Sequence, residues 1–457
     1  MPTSSLVAAA NDEFGSALAA GDFNHDGFSD LAVGIPGRAA NGTTAHGAVE
    51  VFLGSPNGLA TGPSVFFGPA VFQPIPDPTS SNPTSEHGAA SLTWADFNGD
   101  GFGDLAVASS FETQGQAGTI VTGVVTVLFG SSAGLTTAGS RQFQTDPTSS
   151  SNVPSATGPV LPLILTAGDF NDDGFSDLVA GSPFRGTFLQ GGVHVLPGGP
   201  NGPDDTQGQL FVEGVTNTAG SIGTAQGFGA AVAVGDFNGD GVDDLAVGAP
   251  SNRVDSGTTS QNDAGAVVII FGSSNGLQTP ASGPLKSVLF TQNSSPVLAP
   301  AEVHDHFGAA LAAGDFNGDG FADLAIGAPG EDLSIGANTF QDVGIVDVIF
   351  GSTVGLSVSL ARAPQAFTQN ALGEHAEAGD NFGSALSSWN FGRSSHKDLA
   401  IGVPHEKIGT IVDAGLVHVV YGSSTGLTTA DSQIWRPGDL GILGATQAHA
   451  RFGQAAY

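Results

Sequence analysis

A segment of about fifteen residues is written five times along this chain and a sixth time in worn form, and that repetition constrains the fold more than any other feature. The first copy, Ala20 to Gly34, reads Ala-Gly-Asp-Phe-Asn-His-Asp-Gly-Phe-Ser-Asp-Leu-Ala-Val-Gly. The same acidic loop restarts at Asp96, Asp169, Asp236 and Asp315, spaced 67 to 79 residues apart. The worn copy spans Ser388 to Gly402 and keeps Asp398-Leu399-Ala400-Ile401-Gly402. Ahead of each copy stands Phe-Gly or its relic: Phe14-Gly15, His87-Gly88, Thr157-Gly158, Phe228-Gly229, Phe307-Gly308 and Phe382-Gly383. A further Phe452-Gly453 begins just before Tyr457. Length alone would suggest two or three domains, but a fixed long period marks a repeat array. We therefore read residues 1–457 as one domain, with repeats at about 14–86, 87–157, 158–227, 228–306, 307–381 and 382–451, and 452–457 as the start of a seventh.

Four strand signals recur in each repeat. Strand one is a small-residue run before the acidic loop (Ala230 to Val234), and strand two follows it (Leu245 to Pro250). Strand three alternates after a Gly (Gly47 to Leu53) and recurs at Val124, Val193, Val267, Val346 and Val417. A Gly-Ser-x-x-Gly-Leu turn leads to a short fourth strand such as Val288 to Thr291. No stretch sustains helical periodicity. Four antiparallel strands per unit, apolar enough to be covered on both faces, describe a blade, and the expected fold is an all-β propeller, nominally seven-bladed, with six full repeats and a truncated seventh.

In the first loop Asp22, Asn24, Asp26, Phe28 and Asp30 stand at positions 1, 3, 5, 7 and 9, with Gly27 at position 6. Oxygens at alternate positions of a tight loop converge on one point, position 7 offers a main-chain carbonyl, and Gly permits the sharp turn, which is the logic of a calcium loop. The pattern recurs at Asp96, Asn98, Asp100, Phe102 and Asp104, at Asp169, Asn171, Asp173, Phe175 and Asp177, at Asp236, Asn238, Asp240, Val242 and Asp244, and at Asp315, Asn317, Asp319, Phe321 and Asp323. About five calcium ions are therefore expected. Position 12 is Val33, Val107, Ala180, Val247 or Ile326 rather than the Glu of an EF-hand. The sixth loop offers Asn390, Gly392, Ser394 and a single carboxylate, Asp398, and is expected to be metal-free, with Arg393 or Lys397 balancing its charge.

Strand alternation places the acidic loops and the Gly-Ser turns at one end of each blade, and the two-to-three and four-to-one connections at the other. The second set varies in length, and variable loops on a rigid scaffold are where recognition usually lives. Phe184, Arg185, Phe188 and Arg253 are the candidate ligand-face residues, facing a protein or glycan partner.

Other chemistries find little support. Lys plus Arg number 11 against 43 Asp plus Glu, a net charge of -32, which argues against nucleic acid. The most apolar run, Pro159 to Ala167, is too short to span a membrane as a helix. There is no Cys, and no secretion signal is visible in Met1 to Ala10. Gly-x-Ser-x-Gly occurs at Gly130, Gly272 and Gly422, but as copies of one hairpin turn rather than a nucleophile elbow. Glu302, His304, Asp305 and His306 read as a solvated connection.

Phe-Gly, a calcium loop and then Gly-Ala-Pro (Gly248 to Pro250, Gly327 to Pro329) resemble the FG-GAP repeat of the integrin α-subunit propeller over essentially the whole chain. The resemblance implies a seven-bladed propeller with structural calcium, an extracellular or cell-surface setting, and non-catalytic adhesion or ligand recognition on the face opposite the calcium. Only Leu6 to Ala9 is on hand as an N-terminal closing strand, and the regular loops and absent Cys look more like prokaryotic members. The alternatives are an accessory propeller of a secreted enzyme, similar to that of glycosylphosphatidylinositol-specific phospholipase D, or a lectin. Asn41-Gly42-Thr43 and Asn293-Ser294-Ser295 are glycosylation sequons in a eukaryotic host.

Overall fold

The computed structural model describes residues 12–39, 47–60, 64–72, 85–115, 118–145, 163–183, 191–212, 227–256, 259–278, 287–294, 299–335, 338–358, 363–439, 442 and 446–454. Leu6 to Ala9, Asn41, Thr157-Gly158, Phe184, Arg185 and Phe188 lie outside the described residues. The described chain is built of strands with a few 3-10 turns, in two compact units that meet in sequence within the third acidic loop and after Phe211.

The first unit carries three four-stranded antiparallel sheets. They are β1 Leu18–Gly21, β2 Asp30–Ile35, β3 Ala48–Phe52 and β4 Val65–Phe67; β5 Ser85–Ala95, β6 Asp104–Gly115, β7 Gly118–Phe129 and β8 Thr136–Gln144; and β9 Ile164–Gly168, β10 Asp177–Ser182, β11 Gly192–Leu196 and β12 Gln209–Phe211. The second unit carries three more. They comprise β13 Ala231–Gly235, β14 Asp244–Ala249, β17 Ala266–Ile270 and β18 Val288–Phe290; β19 Ala310–Gly314, β20 Asp323–Ala328, β23 Ile345–Ile349 and β24 Gln365–Phe367; and β25 Ala385–Trp389, β26 Asp398–Val403, β27 Leu416–Ser423 and β28 Gly426–Trp435. Each is a meander in sequence order, the four strands expected per repeat. Two small hairpins sit in long two-to-three connections, β15 Val254–Ser256 with β16 Thr259–Gln261, and β21 Leu333–Ile335 with β22 Asn338–Phe340.

These sheets are blades of a β-propeller fold. Strands β14, β17, β20 and β23 are buried along their whole length, because the large hydrophobic clusters are shared by successive blades. Ala19, Val49 and Phe67 pack with Leu92, Val107 and Leu128. Ala246, Ile269 and Phe290 pack with Leu311, Ile326 and Ile349, and Val346, Val348 and Phe367 with Leu386, Leu399 and Val420. A side chain on either face of such a strand leaves water, which is why strands two and three read as near-continuous apolar runs instead of alternating.

One register read from the sequence is corrected by the structure. In blades five and six the Gly that opens strand three (Gly265, Gly344 of the preceding blade) lies against Phe307 and Phe382, whereas Gly47 lies against Gly88 and the next contact is made by Ala89. The Phe-Gly positions of the second blade are thus Gly88-Ala89, one residue later than His87-Gly88. Ala89 takes the left-handed φ of 53° that Gly holds elsewhere, and this hid the register.

Candidate metal centres

Each acidic loop joins strand one to strand two at a fixed register, Gly21 pairing with Asp30, Gly235 with Asp244 and Gly314 with Asp323. Asp22 closes the first loop by accepting from Asp26 N at 3.0 Å and Gly27 N at 2.8 Å, and Asp26 accepts from Phe28 N at 2.9 Å. Asp96, Asp169, Asp236 and Asp315 accept in the same way from Gly101, Gly174, Gly241 and Gly320 at 2.8 to 3.0 Å. Gly27 sits at φ 86° and Gly320 at φ 90°, where a Cβ would be strained. Positions 1 and 5 therefore stand on a loop already folded by its own amides.

Position 9 is different. Asp30 Oδ2 accepts from Phe23 N at 2.9 Å and Oδ1 from Gly54 N at 2.7 Å, the opening amide of the Gly-Ser turn. Asp104 takes Phe97 N and Gly130 N, Asp244 takes Phe237 N and Gly272 N, Asp323 takes Phe316 N and Gly351 N, and Asp398 takes Phe391 N and Gly422 N, all at 2.8 to 3.1 Å. These carboxylates bind the two turns at the loop end of the blade together, a role that sequence spacing did not reveal. Burial pushes Asp104 and Asp323 up to about 7 and Asp244 up to about 8, the two amides oppose the rise, and the carboxylates at positions 5 and 1 add to it.

The donor set is all oxygen, as a hard cation requires. Among the described residues no three His, Asp or Glu side chains are gathered on one point, so an ion here would draw on Asn24, Asn98, Asn238 or Asn317 and on main-chain oxygens as well. In the first, second and fourth loops no Lys or Arg pairs with the position 1 or 5 carboxylates among the described residues. The exposed oxygens fit a cation: Asp22, Asn24, Asp26 and the Phe28 carbonyl would hold it in the first loop, with Asp30 already engaged by the Phe23 and Gly54 amides.

In the sixth loop the two cations are engaged elsewhere. Arg393 lies 4.1 Å over the Tyr421 ring and 3.7 Å from Asp431, and the Lys397 ammonium lies 4.6 Å over Trp389. Asp398 is held by main-chain amides alone among the contacts described above.

The loops also hold one another. Position 8 of one loop donates to the position 1 carbonyl of the loop before it: Gly103 N to Asp22 O at 2.9 Å, Ala322 N to Asp236 O at 2.9 Å and Lys397 N to Asp315 O at 3.0 Å. The position 7 side chains of Phe175, Phe321 and His396 lie on Gly99, Gly239 and Gly318, where a Cβ would collide with them. The position 2 residues Phe23, Phe97, Phe237 and Phe316 are fully buried, each plugged into the core of the next blade.

With this geometry in view, comparison with known proteins is decisive. The FG-GAP repeat model matches residues 14–49, 88–122, 162–196, 228–270 and 307–349. The chain thus carries five FG-GAP repeats. It is 36% identical to mouse phosphatidylinositol-glycan-specific phospholipase D over 37% of this chain and 18% of that protein. It is 29% identical to Drosophila integrin alpha-PS2 over 60% of this chain and 17% of that one. The chain thus spans under a fifth of the curated relatives it matches. Among solved structures a Bacillus licheniformis rhamnogalacturonan lyase aligns with TM-score 0.40 and 10% identity, covering 94% of this chain and 69% of that chain.

The FG-GAP motif has a physical reading here. Gly308 N donates to Gly327 O at 3.0 Å within its own blade, while its carbonyl rests on Gly248 of the preceding blade, so closely that a Cβ there would overlap it. Gly383 stands in the same way between Gly402 and Gly327, and Gly453 rests on Gly402. FG and GAP glycines are therefore one close approach of backbones between neighbouring FG-GAP blades.

At the far end of the blades Arg253 is held by Asp255 at 2.8 Å and by Ser260 within its own hairpin, and it stays exposed. The Gly-Ser segments are turns, with Ser131, Ser273 and Ser423 Oγ donating to the carbonyls of Gly134, Gly276 and Gly426. The expectation of a solvated connection at residues 302–306 is corrected at Asp305, which is 1% exposed and accepts from Glu302 N at 2.5 Å. No helix among the described residues is long and apolar enough to cross a membrane.

Proposed function

We propose that this chain is a calcium-stabilised, non-catalytic FG-GAP propeller that serves as an extracellular or cell-surface recognition module. Calcium occupies five loops through Asp22, Asp96, Asp169, Asp236, Asp315 and their partners at positions 3, 5, 7 and 9. The observation that carries the reading is one all-oxygen loop repeated five times, its position 1 carboxylate folded onto the loop's own amides. Five ions would bring the net charge from -32 to -22. The protein or glycan partner binds at the far end of the blades, where connections differ between repeats and where Arg253 lies. Integrin alpha-PS2 among the relatives supports the adhesion reading.

At about 2 mM calcium each site adds on the order of 1–2 kcal/mol, taking dissociation constants of roughly 0.1–1 mM. The test is thermal unfolding with calcium and with chelator, alongside a count of bound metal. A large fall in Tm with chelator and about five ions per chain is expected; no bound calcium and no shift would overturn it. The similarity to a phospholipase D over a fraction of its length favours a second reading, an accessory propeller of a longer enzyme, which a longer reading frame carrying a catalytic domain would establish.

A further inference from the structure

The far end of the first blade is closed by an ion pair. Asp12, two residues before Phe14, meets Arg38, two residues after Pro36, at 2.7 Å, and Gly37 N donates to Asp12 O at 3.0 Å. The fifth blade places Asp305 and Glu331 at these two positions, and the sixth places Asp380 and Glu406. The backbone frame recurs. Gly330 N donates to Asp305 O at 3.1 Å, Gly344 N to Glu331 O at 3.0 Å and Gly415 N to Glu406 O at 3.0 Å, as Gly47 N does to Arg38 O at 3.1 Å. Where Arg38 brings a positive charge, the later blades bring a second carboxyl.

All four of these carboxyls are buried, between 1% and 6% exposed. Each joint has the same third member. Gln292 Nε2 donates to Glu331 Oε2 at 2.7 Å, and Gln369 Nε2 donates to Glu406 Oε2 at 2.5 Å. Asp305 accepts from Glu302 N and Asp380 from Glu377 N, both at 2.5 Å. None of the four pairs with Lys or Arg among the described residues.

The surroundings of Glu331 are Asp305, Glu302 and the fully buried Asp347, and Asp305 also faces Asp332 and His304, which itself lies against Asp263. Glu406 is surrounded by Asp380, Glu374 and Glu377, with Glu374 taken up by Arg436 and His375 beside Asp380. Two buried carboxylates with mainly acidic neighbours do not both ionise at neutral pH.

We propose that these two joints are proton-held latches, in which the facing carboxyls of Asp305 with Glu331 and of Asp380 with Glu406 keep a proton between them and tie the two far-end connections together. The latches tighten in mild acid and loosen in alkali, whereas the joint of the first blade, made by opposite charges, does not. Burial first, and then the facing carboxylate, pushes Glu331 up to about 8 and Glu406 up to about 7. Burial also takes Asp305 to about 7 and Asp380 to about 6. A carboxyl raised in the folded state binds its proton more tightly there than in the unfolded chain. Its stabilisation is complete below the unfolded value near 4.5 and is lost as pH rises through about 6 to 8. The proposal stands on the fold and is independent of the calcium reading.

The test uses the full chain saturated with calcium, so that the acidic loops stay constant, and compares the wild type with Glu331→Gln, Glu406→Gln and the double variant. Gln has the shape of the protonated acid and does not titrate. Between mild acid and alkali the wild type is expected to lose stability relative to the double variant, by at least about tenfold in the unfolding equilibrium constant. Parallel pH trends in the two proteins would overturn the proposal. So would loss of the wild-type pH trend when the series is repeated at raised sodium, since a cation and not a proton would then hold the joint. Infrared spectra give a second readout: the carbonyl stretch of a protonated carboxyl near pH 6 should be weaker in the double variant than in the wild type, and equal bands in the two proteins would refute the latch.

Discussion

At the scale of single residues, the carboxylate that ends each acidic loop has two duties. Asp244 accepts from Phe237 N at 3.0 Å and from Gly272 N at 2.9 Å, so it fastens the metal loop to a turn 28 residues away in sequence. Asn at this position offers one acceptor oxygen for two amides. We expect Asp244→Asn to cost about 1–3 kcal/mol in urea unfolding even with chelator present, because one buried amide loses its partner. Asp240→Asn, whose carboxylate stands on the exposed rim of the loop, should cost stability with calcium present and little without it. Equal losses for the two variants in chelator would mean that position 9 is only a metal ligand. The alternate-oxygen pattern was legible in the sequence because it is local. The clamp was not, because its second partner is set by how strand three returns, and the same holds for Asp305, buried by a connection that lies far from it in sequence.

At the scale of elements, the junction between blades rests on backbone approaching backbone. The carbonyl of Gly383 lies on Gly327 where any side chain would stand. Gly327→Ala should therefore push two blades apart and cost about 1–3 kcal/mol or more, the usual penalty of overpacking. Gly199, where an added Cβ would meet nothing within 4 Å, should accept Ala with little change. Circular dichroism melts of the two variants would check the contrast, and an unaffected Gly327→Ala would contradict the close approach. Strand order and the loop-to-strand boundaries could be read from sequence, since six copies average out local ambiguity. The register of the second blade could not, because Ala89 holds a left-handed backbone that sequence patterns assign to Gly. The two small hairpins within the long connections were likewise not anticipated, as among the described residues they occur in two blades and repetition gives no help there.

For the molecule as a whole, a charge of -32 on 457 residues opposes compaction. Screening and calcium should relieve the same strain. With chelator present, raising sodium chloride from tens to hundreds of millimolar should raise Tm, whereas with saturating calcium the same salt should do much less. Equal salt responses in the two conditions would show that charge repulsion is not centred on the loops. The net charge was plain in the sequence. Where the acids cluster against one another at the far end of the later blades was not, since it depends on which connections meet in space.

The period of the sequence and the period of the packing are out of phase. A repeat counted from Phe-Gly lends its Phe-Gly to the blade before it and its position 2 Phe, such as Phe237 or Phe316, to the blade after it. No repeat cut out alone carries a finished surface on either side. A cut that adds or deletes one whole period keeps the backbone of a Phe-Gly and the ring of a position 2 Phe on offer to the blades on either side of it. A graft between two such arrays therefore has to carry both, even though the two belong to different blades.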